Sequence, residues 1–70
     1  MITVPIANSS MLSEIAYDEP TLRVTFTKGG IYSYADVPKD VWESFVSAES
    51  AGKFFLANIK GKYDDERCSV

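Results

Sequence analysis

Two runs of alternating apolar and polar residues, joined by a pair of glycines, are the clearest pattern in the chain. In residues 22–26, leucine, valine and phenylalanine alternate with arginine and threonine, and a period of two is typical of a strand with one buried face. Gly29 and Gly30 can adopt the positive φ angles of a tight turn, and residues 31–37 then run back as a second strand. This stretch predicts a β-hairpin.

The length of the hairpin loop decides which face Tyr32 and Tyr34 occupy. If the two glycines alone form the loop, both tyrosines lie opposite the apolar face of the first strand, as an exposed aromatic platform. A loop that also includes Lys28 shifts the register by one residue. Tyr32 then pairs with Phe26, and both tyrosines enter the core. We favour burial, because the returning strand otherwise offers the core few large side chains.

One strand is predicted before the hairpin and two helices after it. Residues 11–17 form the strand, although their apolar side chains do not alternate cleanly, and a turn around Pro20 ends it. Pro38 suits the first turn of a helix that Asp36 can cap. The apolar side chains that follow at helical spacing are Val41, Trp42, Phe45 and Val46.

A second, shorter helix is predicted from Ser50, which is placed to cap it, to a point near Gly61. Its apolar face combines Phe55, Leu56 and Ile59. The predicted fold is therefore α+β: a three-stranded antiparallel β-meander followed by two α-helices packed on one face of the sheet. Residues 1–70 form a single domain with its core at about 9–63, and 64–70 are a polar tail. The side chains assigned to the core are Trp42, Phe26, Phe45, Phe55 and Ile59.

Composition excludes several kinds of chemistry. The 70 residues include one cysteine, Cys68, and no histidine, so no intrachain disulfide is possible and the commonest metal ligand and general base is missing. We therefore predict no catalytic residues, no metal and no cofactor. No apolar run approaches the roughly 20 residues that span a bilayer, and the start of the chain has no signal-peptide pattern. A cytoplasmic location without a membrane partner is expected.

Several short motifs, in a fixed order, resemble those of the KTSC domain family. That family is named after the C-terminus of some lysyl-tRNA synthetases and also occurs as small stand-alone bacterial and phage proteins. The resemblance covers residues 9–63 and implies a binding domain with RNA as a suggested ligand. The motifs are Ser9-Ser10, Ile15-Ala16-Tyr17-Asp18, Leu22-x-Val24-x-Phe26, Gly29-Gly30, Tyr32-x-Tyr34, Val37-Pro38, Ala48-x-Ser50-x-Gly52-Lys53-Phe54-Phe55 and Ile59-Lys60-Gly61-Lys62-Tyr63.

The distribution of charge suggests where a nucleic acid would bind. The net charge is −3, yet residues 53–63 hold three lysines and no acidic residue. Lysines can neutralise phosphates while aromatic rings stack on unpaired bases. The alternative is that the lysines solvate the end of a helix and the rings fill the core. The candidate nucleic-acid-binding residues are Lys53, Lys60, Lys62, Tyr63, Tyr32 and Tyr34.

A second function belongs to a different class. An acidic surface, or a free edge of a small sheet, can bind a protein partner. On this hypothesis the chain is a phage- or bacteria-encoded interaction module or inhibitor. Exchange of the lysines for glutamate distinguishes the two, because only nucleic-acid binding depends on them.

Overall fold

Five antiparallel strands form one sheet in the order β1-β2-β3-β4-β5. In the sequence, the helices come after β4 and before β5. The computed structural model describes residues 2–7 and 9–68. Helix α2 continues directly into a π-helical turn, which we call the π turn, over Phe55–Ile59. The strands are β1 (Ile2–Pro5), β2 (Leu12–Asp18), β3 (Thr21–Phe26), β4 (Ile31–Tyr34) and β5 (Asp65–Cys68), and the helices are α1 (Lys39–Ser47) and α2 (Ala51–Phe54).

The predicted α+β class is confirmed, but the predicted number of strands is wrong. The two missed strands are the edges: β1 pairs with β2 and β5 with β4. Each has four residues, and most of their side chains stay exposed, so neither shows the alternation that identifies a half-buried strand. The polar tail predicted for 64–70 is therefore wrong over Asp65–Cys68, while Ser69 and Val70 lie outside the described residues.

A β-bulge explains the irregular pattern of β2. The register with β3 shifts between Leu12 and Glu14, and an extra residue in one strand reverses which side chains face inward. Leu12 on one side of the bulge and Ile15 and Tyr17 on the other are consequently all buried.

The β3–β4 hairpin has a register that neither predicted loop matches. Val24 pairs with Tyr32, and the Phe26 amide donates to the Gly30 carbonyl oxygen at 3.1 Å, which leaves residues 27–29 as the loop. Gly30 is thus part of the ladder. Both tyrosines face the helices with Val24, so the burial that we favour is confirmed for Tyr34 and holds in part for Tyr32, which is half-buried.

The helices cover one face of the sheet with large aromatic side chains. Trp42 of α1 stacks on Tyr17 with ring centroids 5.2 Å apart, and Phe45 stacks on Phe54 at the same distance. Four of the five predicted core residues are buried, and Phe26 is half-buried against them. The prediction that Val46 belongs to the apolar face of α1 is wrong, because its side chain is 41% exposed.

The predicted caps have different outcomes. Ser50 is confirmed as the cap of α2, since its hydroxyl accepts from the Lys53 amide at 3.3 Å. The cap predicted for Asp36 is wrong: Pro38 holds the cap position of α1, and no side chain caps that end. Asp36 instead has a positive φ of 58°, a backbone conformation that aspartate tolerates better than most residues.

Candidate functional site

An open groove of about 430 Å³ lies between the β3–β4 hairpin and the α2–π turn segment. We call it the aromatic groove, because four of its lining residues are Phe26, Tyr32, Tyr34 and Phe55. Leu56, Lys60 and Asp65 border it as well.

The four rings pack edge to face. The Phe26 ring lies 5.5 Å from that of Tyr32 and 5.4 Å from that of Phe55, with planes 83° and 75° apart. Tyr34 meets Phe55 in the same manner, at 5.7 Å and 76°. This arrangement is favourable because the positive edge of one ring contacts the negative face of the next. Since Phe26 and Tyr32 are only half-buried, a flat ligand ring can still contact them.

Serine and threonine side chains fix the shape of the groove at the hairpin end. The Ser9 hydroxyl accepts from the Met11 amide at 3.1 Å, which turns the chain into β2. The Thr27 hydroxyl donates to the Ser10 carbonyl at 2.8 Å and the Thr27 amide to the Met11 carbonyl at 2.9 Å. Gly52 lets α2 approach this turn, because a Cβ there would lie 3.1 Å from the Ser9 hydroxyl oxygen. The hairpin and α2 are thereby held against the same turn.

Leu56 borders the groove because of where the π turn places it. Sequence reasoning puts Leu56 on the buried face with Phe55 and Ile59, and this is wrong: Leu56 is 52% exposed. It lies roughly a quarter of a turn around the helix from Phe55. The Lys60 amide donates to the Phe55 carbonyl at 2.9 Å, and this wider turn brings Lys60 to the groove. Single π turns of this kind are frequent at functional sites.

Tyr34 is the buried one among the residues with polar side chains that line the aromatic groove. Tyr34 is 4% exposed, yet its hydroxyl forms no hydrogen bond with any described residue. Tyr34 is itself one of the residues that line the groove. Burial, with smaller contributions from Asp65 and Tyr32, raises the pKa of Tyr34 to about 12. The hydroxyl therefore stays protonated and can donate a hydrogen bond.

Strand β5 adds charged side chains next to these rings. Its register places Arg67 opposite Tyr32 and Asp65 opposite Tyr34. The Arg67 guanidinium lies against the hairpin, with its Nε 3.3 Å from the position that a Cβ on Gly30 would take. Lys60 and Asp65 are the charged residues that line the groove, and Arg67 lies next to it as the cross-strand partner of Tyr32.

Acidic residues lie close together at the end of the sheet opposite the β3–β4 hairpin loop. The β2–β3 turn carries Asp18 and Glu19, and the Val37 amide donates to the Pro20 carbonyl at 2.8 Å, which holds the loop before α1 beside this turn. Asp40 in the first turn of α1 lies close by, since it and Glu19 both contribute, after burial, to the raised pKa of Tyr17.

The structure separates the predicted site residues into two groups. Tyr32, Tyr34 and Lys60 line the aromatic groove. Lys53 and Lys62 are exposed outside its lining, and Tyr63 is half-buried against the core.

The residues that sequence reasoning missed are Arg67, Asp65 and the groove-facing sides of Phe26 and Phe55. Recognition of residues 65–68 as a strand would have brought Arg67 and Asp65 to the hairpin. In a strand, alternate side chains share one face.

Within residues 2–7 and 9–68, no cluster of three or more histidine, cysteine or acidic side chains could hold a metal ion. No helix in the same ranges is long and apolar enough to cross a membrane.

The fold and the groove together define a small α+β domain whose helical layer leaves an aromatic groove open on one face of an antiparallel sheet. The sequence model of the KTSC domain matches residues 8–63, and the chain belongs to this family. The crystal structure of a KTSC domain protein from Yersinia pestis superposes with a TM-score of 0.91, at 35% identity and with 96% of each chain covered.

Proteins of very different length resemble this chain. A protein of Tsukamurella paurometabola is 35% identical over 57 residues, which are 79% of this chain and 85% of that protein. The lysine–tRNA ligase of Nostoc punctiforme is 36% identical over 62 residues, which are 86% of this chain but 11% of the ligase. The same share, 11%, applies to the ligase of Trichormus variabilis. The chain thus spans about a ninth of the length of these ligases.

Proposed function

We propose that this KTSC domain is a cytoplasmic, non-catalytic binder of single-stranded nucleic acid, with RNA as its first ligand. The observation that carries the proposal is the aromatic groove, where half-buried rings lie beside Lys60 and Arg67. Proteins that bind single strands combine these same two elements, because rings stack on bases and cations follow the phosphates.

Two further observations support a nucleic acid as the ligand. Two more exposed lysines lie outside the groove lining. Lys28 is on the hairpin loop, and Lys53 follows Gly52 in α2. The region shared with two lysine–tRNA ligases also makes RNA a reasonable first ligand. KTSC is a small domain family with no known catalytic role, which agrees with binding as the whole activity.

The test is a titration of the purified protein against labelled tRNA and against single-stranded RNA and DNA, at low and at near-physiological salt. Affinity should fall with salt, and for a single strand each phosphate contact contributes about 0.7 to the logarithmic slope. Lys60→Gln should reduce the slope by about that amount. Tyr32→Ala should weaken binding by about 1–3 kcal/mol if the ring stacks on one base.

Lys39→Gln is the matched control. It removes the same charge from an exposed position at the start of α1, away from the groove, and should leave the slope unchanged. Equal effects of Lys39→Gln and Lys60→Gln would show that the groove is not the binding site. No binding at low salt would overturn the proposal, and a search for a protein partner at the β1 or β5 edge would then follow.

A further inference from the structure

We propose that the aromatic groove selects one unpaired base by its hydrogen-bonding edge, which the Tyr34 hydroxyl and the Asp65 carboxylate read together. This inference rests on the proposed function and goes further, because it names the part of the nucleic acid that enters the groove and the groups that recognise it.

The Tyr34 hydroxyl is not held by a hydrogen bond to any described residue. The other hydroxyl of the buried tyrosines, that of Tyr17, donates to the Val37 carbonyl at 2.7 Å. The Tyr34 hydroxyl lacks any such partner among the described residues, although buried polar groups in proteins are nearly always paired. Phenylalanine would fill the same position in the core equally well. What the hydroxyl adds is a hydrogen-bonding group that a ligand can satisfy.

The surroundings of that hydroxyl suit a planar heteroaromatic ring. The groove volume of about 430 Å³ lies within the range of small-molecule sites. Its walls are the rings of Phe26, Tyr32 and Phe55. Lys60 lines it and Arg67 is the cross-strand partner of Tyr32, so both cations are placed to contact the phosphates of a bound strand. A base is the part of a nucleic acid that can contact rings and a buried hydroxyl at once.

Asp65 supplies the second half of the recognition. It is the cross-strand partner of Tyr34 and lines the same groove. A carboxylate only accepts hydrogen bonds, whereas the protonated Tyr34 hydroxyl donates one. The pair therefore fits a base edge that presents donors beside an acceptor. Guanine matches best, because its adjacent N1–H and N2–H groups can both donate to one carboxylate while its O6 accepts from the hydroxyl.

The experiment uses single-stranded uridine heptamers that carry guanine, adenine, cytosine or uracil at the central position. The wild-type domain should bind the guanine heptamer about five- to 150-fold more tightly than the others, the range of one good bidentate contact. Tyr34→Phe and Asp65→Asn should each reduce this preference, with little change in the affinity for the all-uridine heptamer. Asp64→Asn, which makes the same change at the neighbouring acidic residue outside the groove lining, should keep the preference.

The outcomes separate this inference from the proposed function. Equal binding of all four heptamers, or a preference that both groove variants retain, would overturn the base-reading pair and leave nucleic-acid binding standing. Absence of binding to every heptamer and to tRNA at low salt would overturn both. Urea unfolding of each variant excludes a folding defect as the cause of a lost preference.

Discussion

Replacement of Tyr17 by phenylalanine removes one buried hydroxyl and leaves the aromatic ring in place. The hydroxyl donates to the Val37 carbonyl oxygen at 2.7 Å, and the two residues are 4% and 0% exposed. The ring itself stacks on Trp42 with planes 9° apart, a contact that phenylalanine preserves. The variant therefore tests one hydrogen bond, which joins β2 to the loop before α1.

The expected loss is about 1–3 kcal/mol in the free energy of unfolding. A hydrogen bond contributes only about 0.5–1.5 kcal/mol net, but a buried carbonyl left without a partner costs its full desolvation. The Val37 carbonyl accepts from a side chain in the core and stays enclosed in the variant. At about 0.05–0.15 kcal/mol per residue, a chain of this size has roughly 4–10 kcal/mol in total. The loss is consequently a large fraction, and each kcal/mol should lower Tm by about 4–8 °C.

Urea unfolding measures this loss, with the fluorescence of the single tryptophan as the probe. Trp42 contacts the substituted ring, so its signal reports on this part of the core. Tyr34→Phe is the matched control: it removes a hydroxyl that has no described partner, so no hydrogen bond is lost and stability should change less than in Tyr17→Phe. If both variants unfolded at the same urea concentration, the different roles that we assign to the two hydroxyls would be refuted.

Two further predictions concern alkaline pH and β5. Burial disfavours the ionised form of Tyr34 and raises its pKa from 10.0 to about 12, so the stability of the wild type does not depend on this group's titration below pH 10 and falls as pH rises from about 10 to 12. In urea midpoints measured across this range, Tyr34→Phe should lose less stability than the wild type, and parallel losses would contradict the assignment. A chain shortened to end at Asp64 should unfold at lower urea than one that ends at Cys68, because β4 then lacks its β5 partner, and equal midpoints would show that this strand adds nothing.

The central elements of this fold were predictable from the sequence, and the edges were not. Strand β3 alternates because one of its faces contacts the helices and the other contacts solvent, and α1 shows a stripe because Trp42 and Phe45 face the sheet. Strand β5 is mostly exposed, so its residues resemble a solvated tail. Only the pairing with β4, a contact between residues more than 30 positions apart, identifies it as a strand.

The register of the hairpin depends on a similar long-range contact. Two glycines in sequence suggest a turn made of both, but Gly30 lies in the ladder, opposite Phe26. A side chain at Gly30 would crowd Arg67 and Tyr32. The positive φ of 84° at Gly30 is the local requirement that the glycine pair predicts, and the approach of Arg67 from β5 is a second reason that the local pattern does not reveal. Prediction of the tyrosine face succeeded because a shift by two residues preserves the alternation.

The candidate site was predictable only in part for the same reason. Tyr32, Tyr34 and Lys60 were identified by their residue types, whereas the groove that joins them also needs Phe55 and Asp65 from elements far apart in the chain. Residue type indicates which side chains can contact a base or a phosphate. Their arrangement in one groove is a property of the folded sheet and helices.

The net charge of −3 is compatible with a polyanionic ligand because the charges are separated along the strands. The acidic residues of the β2–β3 turn and Lys28 of the hairpin lie at opposite ends of β3, whose six residues span about 17 Å, because five rises of roughly 3.3 Å separate the first from the last. At physiological salt the Debye length is about 8 Å, so these acids are screened from phosphates at the hairpin end of the groove, whereas Tyr34, opposite Leu22, lies at the end nearer to them. A nucleic acid in the groove would interact mainly with Lys60 and Arg67, and lower salt would extend the repulsion from Asp18 and Glu19 as well as the attraction. Neutralising these two acids should therefore strengthen binding at low salt more than at physiological salt, an effect that a docking surface at the acidic end would reverse.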